Sequence, residues 1–185
     1  MSKAVMLSIQ PKWCKLIASG KKTVEVRKTR PKLEMPFKCY IYETKTPLRW
    51  NKAHNNIVGG EGGRVIGEFV CDFIYEFDEE SHELRGPSFD SVCLTPKELF
   101  DYGNGKYLYG LKISNLIIYD KPRELTEFIR ICPEWEKEEV TEKCIACNHF
   151  YRTYEECKAG CDCEGEIHLT KAPQSWCYVE ELCGA

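Results

Sequence analysis

Within eight positions, Gly20–Arg27 (Gly-Lys-Lys-Thr-Val-Glu-Val-Arg) gathers ammonium, hydroxyl, carboxylate and guanidinium groups. Lys22 and Arg27 have the chemistry to neutralise a phosphate, Arg27 through a two-pronged fork, and Glu25 can accept from a base amino group. Alternation along a strand sends Val24 and Val26 one way and Thr23, Glu25 and Arg27 the other. The same alternation turns Lys22 away from Glu25, so Lys22 needs a turn or a bulge to reach a shared cleft. The competing expectation is a solvated face on an edge strand, with Glu25 and Arg27 paired to each other.

A second constellation lies near the C-terminus. Of 12 cysteines, five fall within residues 144–163. Cys144 and Cys147 have the spacing of a zinc knuckle, and two of Cys157, Cys161 and Cys163 complete a tetrahedral thiolate site, with His149 as a substitute ligand. Four protein ligands leave no open position for substrate, so the zinc is structural. The alternative is a set of free or disulfide-linked thiols in a surface loop. The remaining cysteines, Cys14, Cys39, Cys71, Cys93, Cys132, Cys177 and Cys183, sit in strand-like or helical contexts, where a reduced thiol behaves as a small hydrophobe.

The chain has 185 residues, 43% hydrophobic and 30% charged, as expected of a globular protein with one good core. No apolar run approaches the length of a membrane span, and the N-terminus lacks a signal-peptide layout, so the expected location is cytoplasmic, without membrane contact. Charge is uneven: residues 1–54 carry 13 Lys/Arg against 3 Asp/Glu, and residues 55–185 carry 13 against 26. A basic first third suits a phosphate-bearing partner; mutual neutralisation of the two parts across the fold explains it equally well.

The elements that must position these groups follow from periodicity. Ala4–Ile9 reads as a strand, and Pro11 opens a helix whose Trp13, Leu16 and Ile17 share a face. Gly20 fits the left-handed cap that ends this helix; the strand carrying Glu25 and Arg27 follows, stopped by Pro31. Lys38–Glu43 is a further strand, and residues 45–63 read as a long loop rich in Asn and Gly. Arg64–Phe77 alternates as one long strand, with Val65, Phe69, Cys71, Phe73, Tyr75 and Phe77 on one face and a bend at Gly67. A capping box at Thr95–Glu98 opens a helix closed by Gly103, and Tyr107–Tyr119 is another long strand ended by Pro122. Residues 123–143 are charged and partly helical, and residues 171–179 form a strand-like, aromatic end.

Gly20, Lys22, Glu25 and Arg27 fit the pattern Gly-x-Lys-x-x-Glu-x-Arg between a helix and a strand, which resembles the signature of ASCH (activating signal cointegrator homology) domains in the PUA-like superfamily. Ser8-Ile9-Gln10-Pro11 and Tyr107-Leu108-Tyr109-Gly110 also resemble that family, and the likeness covers roughly residues 4–122 with a last strand returned by the tail. The resemblance implies an α+β fold, a PUA-like mixed β-barrel with short helices, here with a small zinc-binding insertion. The expected division is 1–122 for the barrel, 123–168 for the charged segment and cysteine loop, and 169–185 for the returning strand.

The resemblance also implies a cleft for single-stranded RNA or a nucleotide-like ligand, lined by Ser8, Lys22, Thr23, Glu25 and Arg27, with Tyr107, Tyr109 or Trp176 stacking on a base. Some small bacterial ASCH proteins are amidohydrolases that deacylate a modified cytidine nucleoside, using a signature Lys, a signature Thr and a Glu from elsewhere. Lys22 matches that Lys; Glu25 occupies the Thr position with Thr23 nearby, and Glu68 is a candidate for the distant carboxylate. On that alternative Lys22 and Glu25 are catalytic. A third expectation is a protein partner docking on residues 123–143 and the zinc loop. Metal analysis of the purified protein checks the zinc: about one zinc per chain is expected, with a lower melting temperature after chelation.

Overall fold

A computed structural model describes residues 2–77, 88–131 and 166–182. In chain order the elements are β1 (Lys3–Ile9), α1 (Pro11–Ala18), β2 (Val24–Arg27), β3 (Phe37–Glu43), β4 (Arg49–Asn51), β5 (Asn56–Val58), β6 (Arg64–Cys71) and β7 (Ile74–Phe77). They continue with α2 (Phe89–Val92), α3 (Pro96–Gly103), β8 (Leu108–Lys112), β9 (Ser114–Arg123), a 3-10 turn (Leu125–Glu127), β10 (Ile129–Ile131), β11 (Glu166–His168) and β12 (Trp176–Glu180). The cysteine cluster Cys144, Cys147, Cys157, Cys161 and Cys163, His149 and most of the 123–143 segment lie outside the described residues.

A five-stranded sheet, ordered β12-β1-β3-β6-β9, carries the molecule. β1 and β3 are parallel neighbours, and the other pairs are antiparallel. Both faces of the sheet are covered, so β1 reads as a continuous apolar run rather than an alternating one. Val5, Leu7 and Ile9 point into one core with Cys14 and Ile17 of α1, Cys39, Ile41, Phe69 and Leu111. Ala4 and Met6 point into a second, with Tyr40, Val65, Phe128, Leu169 and Val179. A three-stranded antiparallel sheet, β2-β8-β7, presents Leu111 to the first core and Val24, Val26 and Leu108 to a third, closed by Val92 of α2 and Leu99 of α3.

Two strands expected to be long are each divided between the sheets. Arg64–Phe77 leaves the large sheet at Asp72–Phe73 and re-enters the small one at Ile74; Tyr107–Tyr119 crosses in the opposite direction at Ile113. The crossings are tied together: Asp72 Oδ2 accepts from Lys112 Nζ at 3.2 Å and Ser114 Oγ at 3.0 Å, and Lys112 N donates to the Phe73 carbonyl at 3.0 Å. Local alternation continues through such a corner, which is why each segment reads as one strand. The expected shared face of Val65 and Phe69 fails for a second reason. A register shift between Val65 and Gly67 sends Val65 to the second core and Phe69 to the first.

The segment 45–63 is not a structureless loop: β4 and β5 pair as a hairpin, Trp50 opposite Ile57. Pro122 does not end its strand, since β9 is an edge strand and tolerates a missing donor. The Thr95 box forms as expected, with Glu98 N donating to Thr95 Oγ1 at 3.2 Å and Thr95 N to Glu98 Oε2 at 2.8 Å. Asn104, at φ 49°, takes the left-handed position just after Gly103.

At Gly67 an added Cβ would drive into the Ile117 carbonyl and lie 3.1 Å from Ile118 Cδ1, within the β6–β9 pairing. Gly67→Ala should therefore lower stability by about 1–3 kcal/mol, read as a lower urea midpoint; an unchanged midpoint would contradict this packing.

Candidate functional site

β2 is buried on both faces, which removes the solvated-face alternative. Val24 and Val26 pack under α2 and α3, so Glu25 and Arg27 point the other way, into the space between β2 and the end of β1. Glu25 and Arg27 are only 4% and 8% exposed.

Lys22 joins them through the turn. Gly20, at φ 72°, bends the chain back over the end of α1, and the N–H groups of Lys21 and Lys22 both donate to the Leu16 carbonyl at 3.0 Å. The side chain of Lys22, a residue only 3% exposed, is carried onto the Glu25 side while Thr23 is left exposed. Lys22 Nζ donates to the Val92 carbonyl at the end of α2 at 2.7 Å and lies 3.5 Å from Glu25 Oε2. Glu25 Oε1 is 3.1 Å from Arg27 Nη2, which also donates to the Ser8 carbonyl at 2.8 Å.

Two cations and one carboxylate are thus held out of water by backbone carbonyls from β1 and α2. Burial pulls the Lys22 ammonium below its ordinary range, and the Glu25 carboxylate partly opposes that shift. Two polar atoms of the set are buried without a hydrogen-bond partner: Glu25 Oε2, an acceptor, and Arg27 Nε, a donor. Such groups each cost roughly 1–3 kcal/mol until something satisfies them.

All three side chains line a cleft of about 730 Å³. Ser8 contributes to it with its hydroxyl turned to the Pro173 carbonyl at 2.7 Å. Lys12 and Trp13 come from α1, Thr44 and Lys45 from just beyond β3, Asp101 and Tyr102 from α3, and Pro173 and Gln174 from the approach to β12. Gln10, at the N-cap of α1, also lines the cleft and makes no side-chain capping bond. Trp13, expected as a core residue, is half-buried: it packs against the first core and carries Lys12 Nζ at 4.2 Å and Lys22 Nζ at 5.2 Å over its ring. Adjacent Lys12 and Trp13 at the start of a short helix were the visible signal for this wall.

Four expected ligand residues lie elsewhere. Thr23 and Tyr107 are exposed outside the cleft; Tyr109 lies under the Arg30 guanidinium at 5.7 Å. Trp176 packs at the first core, donates to Thr29 Oγ1 at 3.0 Å and makes an edge contact with Tyr178. Tyr102, from a helix that carried no expected site residue, joins Trp13 and Tyr42 as an aromatic at the cleft wall. Glu68 is also remote from it: its carboxylate accepts from Tyr119 Oη at 2.5 Å and pairs with Lys38 at 3.1 Å. Among the described residues no cluster of His, Cys, Asp and Glu has a metal-binding arrangement, and no helix is long and apolar enough to cross a membrane.

The Lys22 environment is open to test by pH. An amine with a lowered pKa in the fold disfavours the protonated native state, so stability contributed through Lys22 should rise as pH increases toward its ordinary value of 10.5. In NMR titration of ¹³C-methylated lysines, the Lys22 signal should titrate below the others. Glu25→Gln should lower it further by removing the opposing carboxylate; a Lys22 signal that titrates with the surface lysines would contradict the geometry.

Comparison with known proteins adds three findings. The family model described as "ASCH domain" matches residues 7–180. The crystal structure of the ASCH protein of Zymomonas mobilis superposes with a TM-score of 0.55 at 18% identity, covering 96% of this chain and 88% of that one. A tyrosine-to-phenylalanine mutant of a Zymomonas mobilis ASCH protein gives a TM-score of 0.50 at 22% identity over 67% and 77% of the two chains. No curated protein matches at a significant level. A family match over nearly the whole length, together with a mixed α+β structure built mostly of strands, places this chain in the ASCH domain family.

Proposed function

We propose that the cleft binds one nucleotide unit, free or within single-stranded RNA, with the base against Glu25 and Arg27. The observation that carries this is that the set lines the cleft with two buried atoms lacking a hydrogen bond: an acceptor, Glu25 Oε2, ion-paired to Lys22 Nζ at 3.5 Å, and a donor, Arg27 Nε. A nucleobase edge offers donors and acceptors side by side, and meeting both relieves two buried costs at once. The cleft volume of about 730 Å³ falls in the range of small-molecule sites. Trp13 and Tyr102 offer faces for stacking, and Lys12 and Lys45 offer charge to a phosphate. Arg27 acts as a base-edge donor on this reading, because Glu25 and the Ser8 carbonyl already hold its Nη2.

A second reading, hydrolysis of an acyl group from a modified nucleoside, is favoured by Lys22. Its amine lines the cleft, is pushed toward the neutral form by burial, and is 3.5 Å from a carboxylate. A neutral amine there is suited to take a proton from an attacking water. We also propose a structural zinc, on cysteines outside the described residues, and a protein partner, on a segment of which residues 123–131 are described.

Equilibrium binding of the four ribonucleoside monophosphates and short single-stranded RNA tests the first reading. Glu25→Gln should weaken binding about tenfold or more, and Arg27→Ala should do the same. Thr23→Ala should leave binding unchanged because Thr23 is outside the cleft. Binding indifferent to Glu25→Gln would overturn the assignment. Turnover of acylated nucleosides that disappears in Lys22→Met would make the same cleft an amidohydrolase site.

A further inference from the structure

The hairpin β4–β5 is exposed on both of its faces. Leu48, Trp50 and Ile57 are 69%, 57% and 63% exposed, and Arg49 and Val58 are exposed on the opposite face. Trp50 and Ile57 are direct cross-strand partners, so ring and aliphatic chain form one continuous apolar surface with no core beneath it. Residues 45–63 include Lys45, Arg49 and Lys52 against a single acid, Glu61. None of these three cations has an ion-pair partner among the described residues. The ribbon is also fixed to the cleft. Thr44 and Lys45 line it, and the hairpin base is closed by Thr46 N to the Glu61 carbonyl at 2.8 Å, Gly60 N to Thr46 O at 2.7 Å and Gly63 N to Glu43 O at 2.8 Å.

We infer that this hairpin is a second binding surface, for the stretch of single-stranded RNA next to the nucleotide in the cleft. The inference rests on the nucleotide reading of the cleft for its starting point. An exposed aromatic with unpaired cations around it is the combination that grips a flexible polyanion with stacking bases: phosphates pair with Lys45, Arg49 and Lys52, and a base stacks on Trp50. At roughly 3.3 Å per residue the ribbon carries these groups up to about 23 Å from Lys45 to Lys52, a span for several nucleotides.

The test compares affinity for a ribonucleoside monophosphate with affinity for single-stranded oligoribonucleotides of increasing length, in the unmodified protein, in Trp50→Ala and in Arg49→Ala/Lys52→Ala. Unmodified protein should bind oligonucleotides more tightly than the monophosphate. Trp50→Ala should cost about tenfold on oligonucleotides only, and the double variant should make the salt dependence shallower by a slope of about 1.4. All three proteins should bind the monophosphate equally. Oligonucleotide affinity unchanged by either variant, or no gain with length, overturns the hairpin assignment and leaves the cleft reading standing. Hairpin-dependent oligonucleotide binding without monophosphate binding does the reverse. Retention of a protein rather than any RNA through Trp50 overturns the inference. Because the mutated side chains are exposed, thermal melts of the variants should match the unmodified protein.

Discussion

The site depends on one electrostatic arrangement, the burial of Lys22, Glu25 and Arg27 side by side. Removing charges from water costs several kcal/mol per ion unless partners and hydrogen bonds replace the lost hydration. Here the replacement comes from three parts of the chain at once. Glu25 lies between the two cations, the Val92 carbonyl receives Lys22, and the Ser8 carbonyl receives Arg27. The set still holds two buried polar atoms without a hydrogen-bond partner. In the proposed nucleotide site, a base edge meets that unsatisfied chemistry.

The surrounding fold explains how those carbonyls reach the same place. β1 is an inner strand of the five-stranded sheet, between β12 and β3, and ends at Ile9, just where the cleft begins. β2 belongs to the other sheet, and its Arg27 side chain reaches the Ser8 carbonyl near the end of β1; the chain crosses between the sheets at Asp72–Phe73 and again at Ile113. The Asp72 carboxylate clasps both crossings. Helices α2 and α3 cover the apolar face of β2 and so commit its polar face to the interior. A second, half-buried set, Lys38, Glu68 and Tyr119, has its partners within the protein and lines no part of the cleft.

Much of this was legible in local sequence because it depends on local rules. Pro11, Gly20 and the Thr95 capping box mark helix ends through backbone geometry, and the structure places all three at such ends. The signature residues Lys22, Glu25 and Arg27 do share one cleft. What stayed hidden depends on the meeting of distant segments. Thr23 follows the alternation of β2 on paper, yet the turn after Gly20 exchanges it for Lys22. Tyr107, Tyr109 and Trp176 have the chemistry to stack on a base, but their strands deliver them elsewhere, and Trp13 and Tyr102 form the aromatic walls instead. Alternation cannot register a change of sheet, so β6 and β7, and likewise β8 and β9, read as single strands.

The claim that Arg27 Nε and Glu25 Oε2 await a base edge is most directly tested at Arg27 itself. The ¹⁵N–¹H resonance of Arg27 Nε should be followed in a heteronuclear NMR titration with each of the four ribonucleoside monophosphates. At saturation with at least one of them, the Nε proton should move downfield and exchange more slowly with water, as a newly made hydrogen bond requires, and Glu25→Gln should diminish the change. An Arg27 Nε resonance that stays in place with all four nucleotides, while nucleotide or RNA binds elsewhere on the protein, would contradict the account.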